Sequence, residues 1–216
     1  MKTPSTSLCL FWCLVAALII SGCQGSGHTI NFDPRALASP SAKVGTQHDG
    51  DLTILVHPFQ DARAKQDRVG TRTHLWGGVT HFSAWNGKIS EGMANLAIEY
   101  LQDQQWRASK SSTDAASIPS SDVTLTGTVL SLNANAKSGF GFTDIDVDMK
   151  VRFEAKNMVD GSSVRMVLGA NGSDTVGMFA PKDVGRLINL VAKDLYKQLF
   201  QDLMVKDKAF HIRQGN

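Results

Sequence analysis

Several groups of side chains in this sequence could carry chemistry. Arg63, Lys65, Arg68 and Arg72 fall within ten residues, among Gly70, Gly77 and Gly78, with Trp76, Phe82 and Trp85 close behind. Guanidinium and ammonium groups at that density suit an anionic partner: a lipid phosphate or an acidic protein patch. Interleaved aromatics are common interface anchors. The alternative is a solvated loop whose cations pair locally with Asp61 and Asp67. Asp144, Asp146 and Asp148 open like a calcium loop, but Met149 stands at its glycine position and Ala155 at its closing glutamate. Those acids therefore read as the wet face of a strand. His57, His74 and His81 lack the spacing of a zinc site and read as scattered surface histidines. No nucleophile elbow, phosphate-binding Gly-Lys-Ser/Thr loop or His-Glu-x-x-His appears. The expectation is a protein that is not an enzyme and uses no metal or cofactor.

The cysteines are more specific. All three, Cys9, Cys13 and Cys23, lie in the first 23 residues, and Lys2 is the only charge before Asp33. Residues 8–20 form an unbroken apolar run of 13. A span needs roughly 20 residues, so this run has the length of a signal-peptide core. It ends in Ile20-Ser21-Gly22-Cys23, which resembles a bacterial lipobox: an aliphatic residue, two small ones that let a peptidase reach the backbone, then cysteine. The Cys23 thiol would accept a diacylglycerol, and cleavage before it would free an amine for a further chain. Two or three acyl chains suffice for stable anchoring. Gln24 stands where an Asp favours inner-membrane retention, so the expected destination is the outer membrane, periplasmic face. Once Cys9 and Cys13 are removed and Cys23 is acylated, no thiol is left for a disulfide, and the core alone must hold the fold.

Bulk composition agrees. The chain has 216 residues, 42% hydrophobic and 19% charged, with a formal charge of +2. That balance argues against nucleic acid as a partner. A mean hydropathy of -0.12 excludes a polytopic membrane protein. The length suits one domain with a real core. The expected division is a signal peptide at 1–22, a flexible tether at 23–50 on which Ile30 and Phe32 could dock, an α+β domain at 51–205, and a basic tail at 206–216.

Within the domain, 52–59 reads as a central strand ended by Pro58, and 60–88 as a long loop. Residues 89–106 carry apolar positions at helical spacing (Ile89, Met93, Leu96, Ala97, Tyr100, Leu101). A Ser/Ala-rich linker at 108–121 follows. The stretch 123–134 alternates, but its apolar phase slips at Leu130, which implies a bulge. Residues 143–156 alternate strictly: Ile145, Val147, Met149, Val151 and Phe153 against charged neighbours, a strand with one wet face. Asp160-Gly161 is a hairpin turn to a partner strand reaching about Val176. Pro181 opens a last helix with Val184, Leu187, Ile188, Val191, Leu195 and Leu199 on one face. The expected fold is α+β, an antiparallel sheet of about four strands with two helices on one face, in the order β-α-β-β-β-α.

A strand running into Asp61-Ala62-Arg63, then Val69-Gly70-Thr71-Arg72, resembles the YajG-type outer-membrane lipoproteins, as do a helix ending near 101–106, the run Asp122-Val-Thr-Leu-Thr-Gly127, two further strands and a terminal helix. The resemblance covers about residues 50–203. It implies a non-enzymatic envelope lipoprotein and brings no catalytic residues. The resulting expectation is an outer-membrane-anchored interaction or accessory module. Its partners would be membrane lipid, through covalent acyl chains, and an unidentified envelope protein or anionic lipid. The alternative is a periplasmic carrier of a small or lipidic ligand in a pocket between sheet and helices.

Overall fold

The computed structural model describes residues 28–30, 52–84, 89–111 and 120–213. The strands in chain order are β1 (His28–Ile30), β2 (Thr53–Val56), β3 (Gln60–Asp61), β4 (Gly70–Thr73) and β5 (Val79–Ala84). After α1 (Ile89–Asp103) come β6 (Arg107–Lys110), β7 (Val123–Ser138), β8 (Thr143–Asn157) and β9 (Ser163–Val176). The chain closes with α2 (Pro181–Gln201), β10 (Leu203–Lys206) and β11 (Ala209–Ile212).

The sheet is organised by β7. On one edge it pairs along its whole length with β8, which pairs antiparallel with β9. Its other edge is shared by three short parallel pieces taken in sequence. β2 lies opposite Val123–Leu125, β3 opposite Thr128 and Val129, and β4 opposite residues 134–137. β6 extends the sheet beyond β2, and β5 then β1 extend it beyond β4. The result is a nine-stranded mixed sheet, with β10 and β11 forming a separate hairpin.

The expected four-stranded antiparallel sheet is therefore wrong, and the error lies in the short strands. Residues 60–88, read as a loop, contain β3, β4 and β5. The 108–121 linker begins inside β6. Pieces of two to six residues at sheet margins bury too few positions to show a period: β6 buries only Ala108. Within the stretch read as a tether, His28–Ile30 form β1, and Ile30 is buried against the core. The rest of 31–50, including Phe32, lies outside the described residues. The residues read as a basic tail enter the hairpin β10–β11, where Phe210 is completely buried.

The long elements follow the pattern. Odd-numbered residues of β8 are buried throughout, and the even-numbered ones face solvent or are half-buried. In β7 the buried phase is odd up to Val129 and even from Leu132. The register shifts between Val129 and Ser131, and the bulge sits at Leu130. Ile54, Leu55 and Val56 are buried on both faces of β2, as a central strand requires. In α2, Pro181 occupies the first turn, and the Asp183 carboxylate accepts the Ala180 N–H at 2.8 Å. α2 covers the odd face of β8, and α1 packs beside it on α2, β2, β3 and β7. Phe59 and Tyr196 meet Phe153 edge-on, with ring centroids 5.9 and 5.8 Å away. No described helix is long and apolar enough to cross a membrane.

Candidate functional site

The bulge in β7 leaves a gap in the sheet. The Ala62 N–H donates to Val129 O at 3.0 Å, and the Ala134 N–H donates to Val69 O at 2.7 Å. Between those two bonds the chain swings away from β7, so the edge at 130–133 borders a cleft of about 380 Å³. Its walls include Arg63, Lys65, Arg68, Thr71, Leu130 and Asn133.

Arg63 ties that loop together. Its side chain is only 3% exposed. Nε and Nη2 donate to the two Asp61 carboxylate oxygens, each at 2.9 Å, while Nη1 donates to Arg68 O at 2.7 Å. A second contact runs from Nη2 to Gln66 O at 3.3 Å. A buried charge needs such pairing, and the fork of a guanidinium supplies it from one side chain. Arg63 thus acts as an internal tie of the loop. Lys65 and Arg68 reach the mouth of the cleft. Arg68 also donates to Asp67 at 3.1 and 3.2 Å, and that bond holds the Asp67 carboxyl below its usual range. An anion arriving at Lys65 would therefore compete with Asp67 for Arg68.

Arg72 is elsewhere. Successive strand residues point to opposite faces, so Thr71 lines the cleft while Arg72 turns to the helix side. There its Nε donates to Ser138 Oγ at 3.0 Å, and its guanidinium stands 4.1 Å from the centre of the Phe179 ring. Burial lowers its basicity. The four cations read as one loop are therefore divided between the cleft and the opposite face.

Among the other sequence candidates, the Asp148 carboxylate accepts from Asn133 at 3.1 Å and Asp144 from Thr175 at 2.7 Å, cross-strand contacts on the wet face. His74 Nε2 lies 2.8 Å from Thr80 Oγ1. Among the described residues no three His, Cys, Asp or Glu side chains gather as a ligand set. Ile20, Ser21, Gly22, Cys23 and Trp85 lie outside the described residues. Phe82 is fully buried, whereas Trp76 is 94% exposed. Sequence reasoning missed the outer edge of β9. Among the described residues β9 pairs only with β8, across fourteen residues without a bulge. A strand at a sheet margin has the same alternation as an inner one, so its position was not readable.

No family model matches this chain, and no curated protein sequence matches it. Several solved structures are similar to part of this chain, at low identity and low structural overlap. A Xanthomonas campestris protein assigned to the family model DUF330 is 8% identical, with 69% of this chain and 82% of that chain covered, at a TM-score of 0.48. The PelC dodecamer subunit of Paraburkholderia phytofirmans is 16% identical over 68% of this chain and 88% of its own, at 0.37. Lipoprotein GNA1162 of Neisseria meningitidis is 14% identical over 68% and 99%, also at 0.37.

Proposed function

We propose that this chain is a bacterial envelope lipoprotein, acylated at Cys23 and held at the periplasmic face of the outer membrane. Its domain is a non-enzymatic interaction module that docks an envelope protein on the outer edge of β9. The β9 edge carries this reading. Exposed edges are usually blunted by charge, proline or bulges. β9 has no proline and no register shift, and residues 166–173 are uncharged. Such an edge can accept a further strand through its main chain. The lipobox at Ile20-Ser21-Gly22-Cys23 supports the anchor, and the YajG-type motifs around Asp61 and Val69 support the class. The carrier alternative is less favoured, because Phe59, Phe153 and Tyr196 fill the space between sheet and helices.

Two measurements test the reading. Cys23→Ala should move the processed protein from the membrane to the soluble fraction; retention on the membrane would remove the lipid as anchor. A photoreactive residue at Val167 or Ser173, on the β9 edge, should give one discrete adduct in intact cells, and the same residue at Lys150 on the wet face of β8 should not. Equal labelling at all three positions would overturn edge docking, and an adduct of twice the chain mass would assign the edge to a second copy instead.

A further inference from the structure

Three large apolar side chains stand almost wholly in solvent: Trp76 at 94%, Phe140 at 89% and Met178 at 90%. They belong to separate segments, yet the strand register brings them to one end of the sheet. Thr73 pairs with Lys137, Ser138 with Thr143, and Thr143 with Val176. Beyond these pairs the chain makes the β4–β5 tip with Trp76, the β7–β8 turn with Phe140, and the exit from β9 with Met178. Gly77 and Gly78, at φ of 90° and 78°, form the tight turn that presents Trp76. Large apolar side chains left exposed together at one end of a sheet suit an interaction surface. Aromatic rings on projecting tips suit the headgroup level of a bilayer, where Trp is enriched.

The position of β1 ties that end to the membrane. His28 pairs with Phe82, Phe82 with Gly70, and Gly70 with Ala134. His28 is therefore level with Ala134, four residues from the end of β7 at Ser138 and eleven from its start at Val123. At about 3.3 Å per strand residue, the tip end is about 13 Å away and the opposite end about 36 Å. Cys23 precedes His28 by five residues. Five residues span at most about 18 Å, enough for the first distance and too little for the second. β1 also runs parallel to β5, so its N-terminal side faces the end where β5 begins, beside the tip.

We infer that this end of the sheet lies on the lipid bilayer, with Trp76, Phe140 and Met178 set into its interfacial zone, so that the long sheet stands away from the membrane and the β8–β9 turn points outward. The inference rests on the acylation of Cys23 read above. Acyl chains already hold the chain to the membrane; the tips fix its orientation.

The test uses the lipidated chain. With Cys9 and Cys13 removed and Cys23 blocked, an introduced cysteine is the one reactive thiol. Trp76→Cys, Phe140→Cys and Met178→Cys, with Val159→Cys in the β8–β9 turn as control, would each be labelled with an environment-sensitive fluorophore. The four sites are well exposed, so labelling leaves the core intact. The proteins would then be placed in phosphatidylethanolamine–phosphatidylglycerol vesicles carrying shallow nitroxide lipids. The three tip labels should shift to the blue and be quenched several-fold more than the label at 159. Equal quenching at all four positions overturns the inference. So does shielding of the tip labels in detergent that grows with protein concentration, which would make the cover a second copy. Intact mass of the same samples reports the acyl groups. An unacylated Cys23 would overturn the anchor on which the inference rests, whereas an acylated Cys23 with unquenched tips would overturn the orientation alone.

Discussion

At the scale of single residues, the interior places polar groups where they tie elements together. Tyr196 is fully buried in α2, and its hydroxyl donates to the carbonyl of Met93 in α1 at 2.6 Å, joining the two helices. Burial pushes its phenol well above the ordinary value. The folded protein therefore keeps this proton at a pH where the unfolded chain has lost it. The stabilisation is complete below about pH 10, where a free tyrosine ionises, and is lost as pH rises above that toward the folded value. Tyr196→Phe should cost about 0.5–1.5 kcal/mol at neutral pH, the usual net worth of one hydrogen bond. It should also lose less stability than wild type between neutral pH and pH above 10. Tyr100, raised by its own burial, keeps a share of the same dependence in both proteins. Denaturant midpoints of the two proteins across that range decide it. Parallel curves would mean that the Tyr196 phenol takes no part. Arg63 teaches a related lesson. Its composition and neighbours suggest a partner-binding cation, and only three-dimensional geometry shows it closed onto Asp61, Gln66 and Arg68.

At the scale of elements, what could be read from sequence depended on length. In β8, fifteen residues alternate against a wet face, so register is strongly fixed: a slip of one would expose Ile145, Val147, Met149, Val151 and Phe153 together. Phe153→Ala, which removes a ring packed between Phe59 and Tyr196, should cost about 3–5 kcal/mol. Arg152→Ala on the exposed face should change stability by no more than about 0.5 kcal/mol. Denaturant titration separates the two, and equal losses would mean a layer covers the even face. The bulge in β7 was legible for the same reason, because a long alternation shows where its phase changes. The short parallel strands were not. β4 consists of Gly-Thr-Arg-Thr, half-buried along most of its length, and its pairing is enforced by contact with β7 rather than by pattern. A Cβ at Gly70 would stand 1.7 Å from Ala134 O, so the close approach of β4 to β7 needs this glycine, yet one glycine in a sequence announces no partner.

At the scale of the whole molecule, the α+β class and the two helices were visible in the sequence, whereas the extent of the sheet and the boundary of the domain were not. The last residues carry Lys206, Lys208 and Arg213 and look like a solvated end. Their turn lacks glycine: Asp207 and Lys208 take positive φ themselves, at 53° and 59°, so the usual hairpin mark is missing. The hairpin they form closes the core at the end opposite Trp76. Phe210 packs on Trp106 and Phe200, at centroid distances of 5.4 and 6.0 Å. The buried Asn157 amide, at the end of β8, holds the same residue by both backbone groups: it accepts the Phe210 N–H at 2.8 Å and donates to the Phe210 carbonyl at 3.0 Å. Removing residues 203–216 would uncover those rings and leave the Asn157 amide without its backbone partner. A solvated tail could be cut with almost no effect. For the observed hairpin the loss should match or exceed that of truncating one buried Phe, about 3–5 kcal/mol from a total of about 5–15. Phe210→Ala, which keeps the backbone bonds to Asn157, should fall near the lower end of that range. The measurement is a denaturant titration of the lipidated chain in mild detergent, wild type beside both variants. If the shortened chain unfolds at the wild-type midpoint, the hairpin is no part of the cooperative core, and the domain ends with α2.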